Sequence, residues 1–151
     1  MSKVSHEEFI AKYLPNGKVL QLATISGNGP WICTVNYVND KDGNIYWISM
    51  KNRRHSIEVE GNSQSAIAIV LDPDKKVGLQ LTGVSSQVKD EDLEKAHNLY
   101  SLKFGDKPER LAGARDPSSD GRTYYMFTPK SIKVHDEVTF PTDPQQVVDV
   151  S

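Results

Sequence analysis

Three consecutive basic residues, Arg53-Arg54-His55, are the side chains most able to do chemistry. They lie in the segment WISMKNRRHSIEVEG, which predicts a strand end followed by a helix capped by Asn52. A helix start already carries partial positive charge from its unpaired N–H groups, so it normally favours Asp or Glu. Cations crowded at this end indicate an anion that belongs to a ligand.

A phosphate group suits such a position. It carries nearly two negative charges at neutral pH, and Arg offers a planar fork that matches its oxygens. Hydrogen bonds to charged groups contribute about 1.5–3 kcal/mol each, so two or three would dominate the affinity. A phosphate would also favour the charged form of His55, and Lys51 could assist. The alternative is a solvated turn in which Arg54 pairs with Glu58, worth about 0.2–0.5 kcal/mol.

The elements around this segment are mostly short strands separated by turns. Strands are predicted at Lys18–Ser26, Trp31–Val38, Ile45–Ser49, Ser63–Leu71, Val77–Val88 and Thr123–Asp136, the last bent at Pro129. Helices are predicted at Ser5–Leu14, after Asn52 as far as Gly61-Asn62, and at Asp90–Phe104 with Asp90 as its cap. Gly83 predicts a bulge or a sharp bend, Gly105–Thr123 a loop, and the residues after Asp136 an extended tail.

Size and composition predict one globular domain spanning residues 1–151, with 37% hydrophobic and 25% charged residues. The formal charge of −2 and the pI of about 6.1 argue against general nucleic-acid binding. Cys33 is the only cysteine, which suits a reducing compartment, and the four histidines lack the spacing of metal ligands. The start does not resemble a signal peptide, and no apolar run approaches the ~20 residues that span a bilayer. We therefore expect a cytoplasmic protein without a metal or membrane partner.

Four segments in order carry a family resemblance: LATIS-GNGPWICTVNYV, GNIYWIS, NRRHSIEVEGN, and LQLTGVSSQV before an acidic helix. Their order and spacing resemble the FMN-binding split β-barrel family, the pyridoxamine 5′-phosphate oxidase-like proteins. The resemblance extends from Val19 to about Val134. Within the family, the sequence resembles small uncharacterised bacterial members.

The resemblance implies a mainly β, six-stranded antiparallel split barrel that forms a homodimer with FMN at the interface. The phosphate would be held at the basic turn, and the flavin would lie along two strand segments. The cofactor-binding residues are then Cys33, Thr34, Val35, Ile48, Ser49, Lys51, Arg53, Arg54 and His55. Gln80 could reach a cofactor edge, or it could be an outward-facing polar residue.

The sequence names no catalytic residue, because no Ser-His-Asp or metal constellation is visible. Any chemistry would be that of the flavin, in an oxidoreductase whose substrate and electron donor the sequence does not give. The tail FPTDPQQVVDVS lacks the C-terminal Trp and the Arg-x-His element of true pyridoxamine phosphate oxidases, so that substrate is not expected. The alternatives are a non-catalytic flavin-binding module, or a barrel that binds the deazaflavin F420 or haem.

Overall fold

The computed structural model describes residues 3–117 and 121–150. Within them a single antiparallel sheet contains eight strands. They are β1 Val19–Ser26, β2 Gly29–Asn36, β3 Val38–Asn39, β4 Ile45–Met50, β5 Gln64–Asp72, β6 Val77–Gln87, β7 Arg122–Asp136 and β8 Gln145–Val148. The mainly β prediction is confirmed, although the count exceeds the expected six. The two strands that patterning missed are short, since β3 has two residues and β8 has four.

The sheet curls into the expected split barrel. Its strand order is β2-β1-β5-β6-β7-β4-β3, and β8 pairs with the far half of β7. At the ends of this path β2 approaches β4, yet no ladder joins these two strands in the part of the chain that the structure describes. We call this unpaired contact between β2 and β4 the seam, and it forms the split of the split barrel.

Alternating side chains divide each strand between the barrel interior and its outside. On β1, Leu20 and Leu22 are fully buried in the interior core, which also contains Trp47 from β4 and Tyr125 from β7. A second apolar cluster lies on the outer side of β4 and β7, where Tyr124 packs beneath helical residues. The barrel therefore has a filled interior and one face covered by helices.

Among the described residues, four helical elements surround the sheet, apart from a short 3-10 turn at Asp90–Asp92. They are α1 at His6–Glu8, continued by a π-helix at Phe9–Tyr13 and a 3-10 turn at Leu14–Asn16, then α2 at Arg54–Gly61, α3 at Leu93–Phe104 and α4 at Pro108–Arg115. Ser5 caps α1, because its hydroxyl accepts from the Glu8 N–H at 3.1 Å. No helix among the described residues is long and apolar enough to cross a membrane.

The structure corrects several predicted boundaries. Asn52 does not cap α2: the N-cap is Arg53, whose side chain makes no capping hydrogen bond. Asp90 begins a short 3-10 turn, and α3 starts at Leu93. The predicted loop after residue 104 contains α4, and its residues 118–120 lie outside the described chain. The predicted tail is not simply extended, because it returns to form β8.

The bulge predicted at Gly83 is confirmed. The pairing of β6 with β7 shifts register between Thr82 and Gly83, which face Ser131 and Pro129 respectively. Lys130 is thus the extra residue of β7. The bend lets the first half of β7 pair with β4 and the second half with β8.

Candidate functional site

The basic turn joins β4 to α2 at one end of the barrel. Its backbone is held in place, because the Lys51 N–H donates to the Gly121 carbonyl at 3.3 Å and the Arg53 N–H donates to the Met50 carbonyl at 3.2 Å. Behind it, α2 packs against β1, β2 and β6. The backbone that carries the basic side chains is therefore held in one position.

The two arginines point to different neighbours. Arg53 is exposed, and its Nη2 lies 3.4 Å from the sulfur of Met50, the last residue of β4. Arg54 turns instead toward β1 and β2, where its guanidinium carbon lies 4.3 Å from the centroid of the Trp31 ring. That distance is within the range of a cation–π contact. The structure thus separates two residues that the sequence treated as one group.

Glu58 anchors Arg54 from one turn further along α2. Its carboxylate accepts from Arg54 Nε at 2.9 Å, from the Thr24 hydroxyl at 2.6 Å and from the Ser26 hydroxyl at 2.8 Å. The hydrogen bond from Thr24, and then those from Arg54 and Ser26, hold the pKa of the Glu58 carboxyl below its usual value. The pairing that the sequence offered as the alternative to phosphate binding is therefore present.

His55 is buried and faces the barrel. Its Nε2 is hydrogen-bonded to Ser49 Oγ at 2.7 Å. Burial, and next the charge of Arg53, lower the pKa of His55 below its ordinary value of 6.5. Opposite Ser49 in the register stands Thr123, whose buried hydroxyl has no hydrogen-bond partner among the described residues. An unmet buried hydroxyl opposite the hydrogen-bond partner of His55 indicates unused polar capacity at this place.

Three cationic residues occupy neighbouring backbone positions where β4 ends and β7 begins. Lys51 and Arg53 come from the turn, and Arg122 begins β7 opposite Met50. None of the ion pairs found in residues 3–117 and 121–150 involves these three side chains. We call Lys51, Arg53 and Arg122 the basic end. Arg122 was not among the predicted residues, because only the strand register brings it beside the turn.

The remaining predicted residues lie on the two strands that form the seam. Cys33 and Val35 of β2 pack against the barrel core, whereas Thr34 between them is exposed on the outside. Ile48 packs against the outer apolar cluster. Burial raises the pKa of the Cys33 thiol to about 11, which fits a packing role better than a reactive one.

Gln80 lies apart from the basic turn. It is exposed on the outer face of β6 and lines a cavity of about 380 Å³ together with Ala66 and Ile32. A larger cavity of about 900 Å³ lies between the β1–β2 hairpin and α2, where Arg54 and Glu58 form part of its wall. In the part of the chain that the structure describes, no group of three or more His, Cys, Asp and Glu residues could hold a metal ion.

A curled antiparallel sheet with a seam and a basic turn beside it defines the split-barrel class. The sequence matches the family profile for pyridoxamine 5′-phosphate oxidase over residues 6–136. Because that match covers most of the chain, the protein belongs to this family. A search of curated proteins found no match.

Solved structures share the fold at low sequence identity. A pyridoxamine 5′-phosphate oxidase-related, FMN-binding protein from Nostoc punctiforme is 15% identical, with a TM-score of 0.61 and coverage of 93% of this chain and 84% of that one. The haem storage protein HutZ from Vibrio cholerae is 23% identical, with a TM-score of 0.62 and coverage of 82% and 86%. A protein of unknown function from Agrobacterium tumefaciens is 14% identical, with a TM-score of 0.65. The match covers 79% of this chain but only 51% of that one.

Proposed function

We propose that this protein binds FMN at the seam and holds the FMN phosphate at the basic end. The observation that carries the proposal is that the register places Arg122 beside the turn of Lys51 and Arg53, and that none of the three has a carboxylate partner among the described residues. Like charges that share a small region repel one another, and an anion between them offsets that cost. Family membership and the FMN-binding protein from Nostoc punctiforme support FMN as that anion.

The surroundings fit a flavin mononucleotide. His55 and Ser49 form a hydrogen-bonded pair next to the turn, and the unpartnered Thr123 hydroxyl lies across from Ser49. The exposed strand segment around Thr34 offers backbone along which a flat ring could lie. We leave Gln80 out of the proposed site, since it lines a cavity on the outer face.

Bound FMN would supply hydride or electron transfer, which makes a flavin-dependent oxidoreductase the function that we favour. The residues of this chain would bind the phosphate, orient the ring and exclude water. A neutral His55 would donate or accept a hydrogen bond through Ser49 without carrying charge of its own. The substrate and the electron donor are not assigned, and a cytoplasmic location stays a prediction.

We also propose that two copies of the chain associate. The outer face of the sheet leaves apolar side chains uncovered: Ile32 is 62% exposed, Val70 is 58% exposed and Ile25 is 47% exposed. Ala66 lies on the floor of two neighbouring cavities on this face. Apolar patches of this kind mark interaction sites. Sedimentation analysis of the purified protein tests the proposal, and a monomer at micromolar concentration would contradict it.

Haem is the second candidate, because one structural neighbour is the haem storage protein of Vibrio cholerae. A haem iron would need an axial ligand, and His55 is the imidazole nearest the basic end. Its Nε2 is already hydrogen-bonded to Ser49, so ligation through that atom would break a buried interaction. The visible spectrum of the purified protein separates FMN from haem and from F420, since the three chromophores absorb at different wavelengths.

Calorimetric titration with FMN and with riboflavin tests the proposed phosphate site. The wild-type protein should bind FMN more tightly, because riboflavin lacks the phosphate. Replacing Arg53 with Ala should weaken FMN binding by about tenfold or more, the value of one charge-assisted hydrogen bond, and should leave riboflavin binding unchanged. Replacing Lys75, an exposed cation of the β5–β6 turn, with Ala is the matched control. Equal affinity of the wild type for FMN and riboflavin would refute the proposal.

A further inference from the structure

Glu58 of α2 is a buried acid that contacts Arg54 of the basic turn. Its side chain is only 5% exposed, and it accepts hydrogen bonds from Thr24, Ser26 and Arg54. Two of these donors come from β1, so the carboxylate joins α2 to the barrel wall. A surface ion pair needs none of this support. The arrangement therefore suggests that the orientation of Arg54 matters.

Two contacts fix the Arg54 guanidinium. Glu58 takes the N–H of Nε, and the Trp31 ring lies 4.3 Å from the guanidinium carbon. The contact with Nε uses only the inner edge of the fork. No hydrogen bond among residues 3–117 and 121–150 uses the two terminal nitrogens of Arg54, and the side chain is 39% exposed. These nitrogens carry four of the five guanidinium N–H groups and can bind two phosphate oxygens at once.

We infer that Glu58 is a positioning residue: it holds Arg54 by Nε, with Trp31 against the ring plane, so that the two terminal nitrogens are directed at the FMN phosphate. This inference rests on the proposed function and deepens it. Arg54 would then add its two terminal nitrogens to the cations of the basic end. Holding the fork in advance removes an entropy cost that a free arginine would pay on binding.

A simpler account gives Glu58 only the role of a counter-charge. In that case its carboxylate reduces the positive potential around the phosphate, and replacing Glu58 with the neutral Gln would strengthen FMN binding. Positioning predicts the opposite sign. The Glu58 carboxylate accepts three hydrogen bonds with two oxygens. Gln has one acceptor oxygen and an NH2 donor in place of the other, and it carries no negative charge, so it would hold Arg54 less firmly and FMN would bind more weakly. The direction of the change in affinity therefore distinguishes the two accounts.

The experiment compares the Kd values of FMN and riboflavin for the wild type and for Glu58→Gln. We expect Glu58→Gln to weaken FMN binding roughly three- to tenfold and to leave riboflavin binding unchanged. Glu60→Gln is the matched control, because Glu60 is exposed on the same helix and its loss changes the net charge equally. It should alter neither value. Circular dichroism and thermal unfolding establish that each variant is folded.

A double-mutant cycle shows whether the effect passes through Arg54. In an Arg54→Ala background, Glu58→Gln should have no further effect on FMN affinity. If Glu58→Gln does not fold, Ser26→Ala removes one donor to the carboxylate and should weaken FMN binding in the same direction. Unchanged or stronger FMN binding by Glu58→Gln, in a protein that prefers FMN to riboflavin, overturns the inference alone. A wild type that does not bind FMN overturns the proposed function, and the inference with it.

Discussion

Replacing Gly83 with Ala should destabilise the barrel strongly. A Cβ atom at this position would overlap the carbonyl oxygen of Thr128 and lie 2.8 Å from Cζ of Phe127. The oxygen belongs to the backbone of β7, so it cannot move without disturbing the pairing around Pro129. Overpacking a core costs about 1–3 kcal/mol, and a collision with backbone favours the upper value. For a domain of this size, about 3 kcal/mol lowers Tm by roughly 6–12 °C.

Urea unfolding provides the measurement, followed by the fluorescence of Trp47, which is fully buried. Gly113→Ala in α4 is the matched control, because a Cβ there would meet no atom within 4 Å. It should be neutral or should stabilise the protein by about 0.5–1 kcal/mol, the helix preference of Ala over Gly. A Gly83→Ala protein within about 0.5 kcal/mol of the wild type would show that the β6 bend does not require glycine.

Two further predictions concern titrating groups. The pKa of His55 should lie below 6.5 in the free protein because the ring is buried beside Arg53, so its contribution to stability is lost as pH falls below 6.5. FMN should raise that pKa by placing a phosphate nearby, and NMR titration of the imidazole would show an unmoved pKa if the phosphate binds elsewhere. Burial raises the pKa of Tyr37 from 10.0 to about 12, so this tyrosine stabilises the fold below pH 10 and the benefit is lost as pH rises toward 12. Tyr37→Phe should therefore lose less stability than the wild type between about pH 9 and about pH 11 in urea unfolding, and identical losses would contradict the assignment.

Most of the strands were predictable because their two faces differ in burial. On β1 the alternation of buried and partly exposed residues follows the apolar pattern, with Leu20 and Leu22 inside. β8 escaped prediction because its four residues are Gln145, Gln146, Val147 and Val148, in which a polar residue is buried and an apolar one is exposed. The Gln146 side chain accepts from the Lys3 N–H at 3.0 Å and donates to the Asp143 carbonyl at 2.8 Å. Hydrogen bonds to residues outside the strand explain why Gln146 is buried, and the polarity pattern of four residues does not show such bonds.

The sequence did not predict α4, because its composition is unlike that of an amphipathic helix. Its sequence PERLAGAR has little amphipathic character, and Ala114 is its one buried residue. Pro108 at the start of the helix was a usable signal, since proline is favoured in the first turn. The glycine and charged residues around it favoured a loop instead. Packing against β7 stabilises a helix that the sequence alone does not favour.

The composition of the basic turn could be predicted, but not the directions of its side chains. Successive helical residues point about 100° apart, so Arg54 and His55 face different surroundings, and Arg53 precedes the helix with an extended backbone. What each one meets depends on distant residues: Trp31 for Arg54, and Ser49 for His55. The sequence set phosphate binding against an Arg54–Glu58 pair as alternatives. They are compatible, because the pair uses Nε and leaves the terminal nitrogens for a ligand.

One short turn can serve both the fold and a ligand, because some of its polar atoms are hydrogen-bonded within the protein and others remain unpaired among the described residues. Glu58, Thr24 and Ser26 tie the first turns of α2 to β1 through hydrogen bonds that do not need a ligand. Because these hydrogen bonds fix the turn, they offset the electrostatic repulsion between its neighbouring cations. Arg53 has no such tie beyond a contact with a sulfur atom, so it remains available to an incoming anion. The rigid part of the turn thus pre-organises the charged part, and this is the physical reason to expect the site to select for a phosphate.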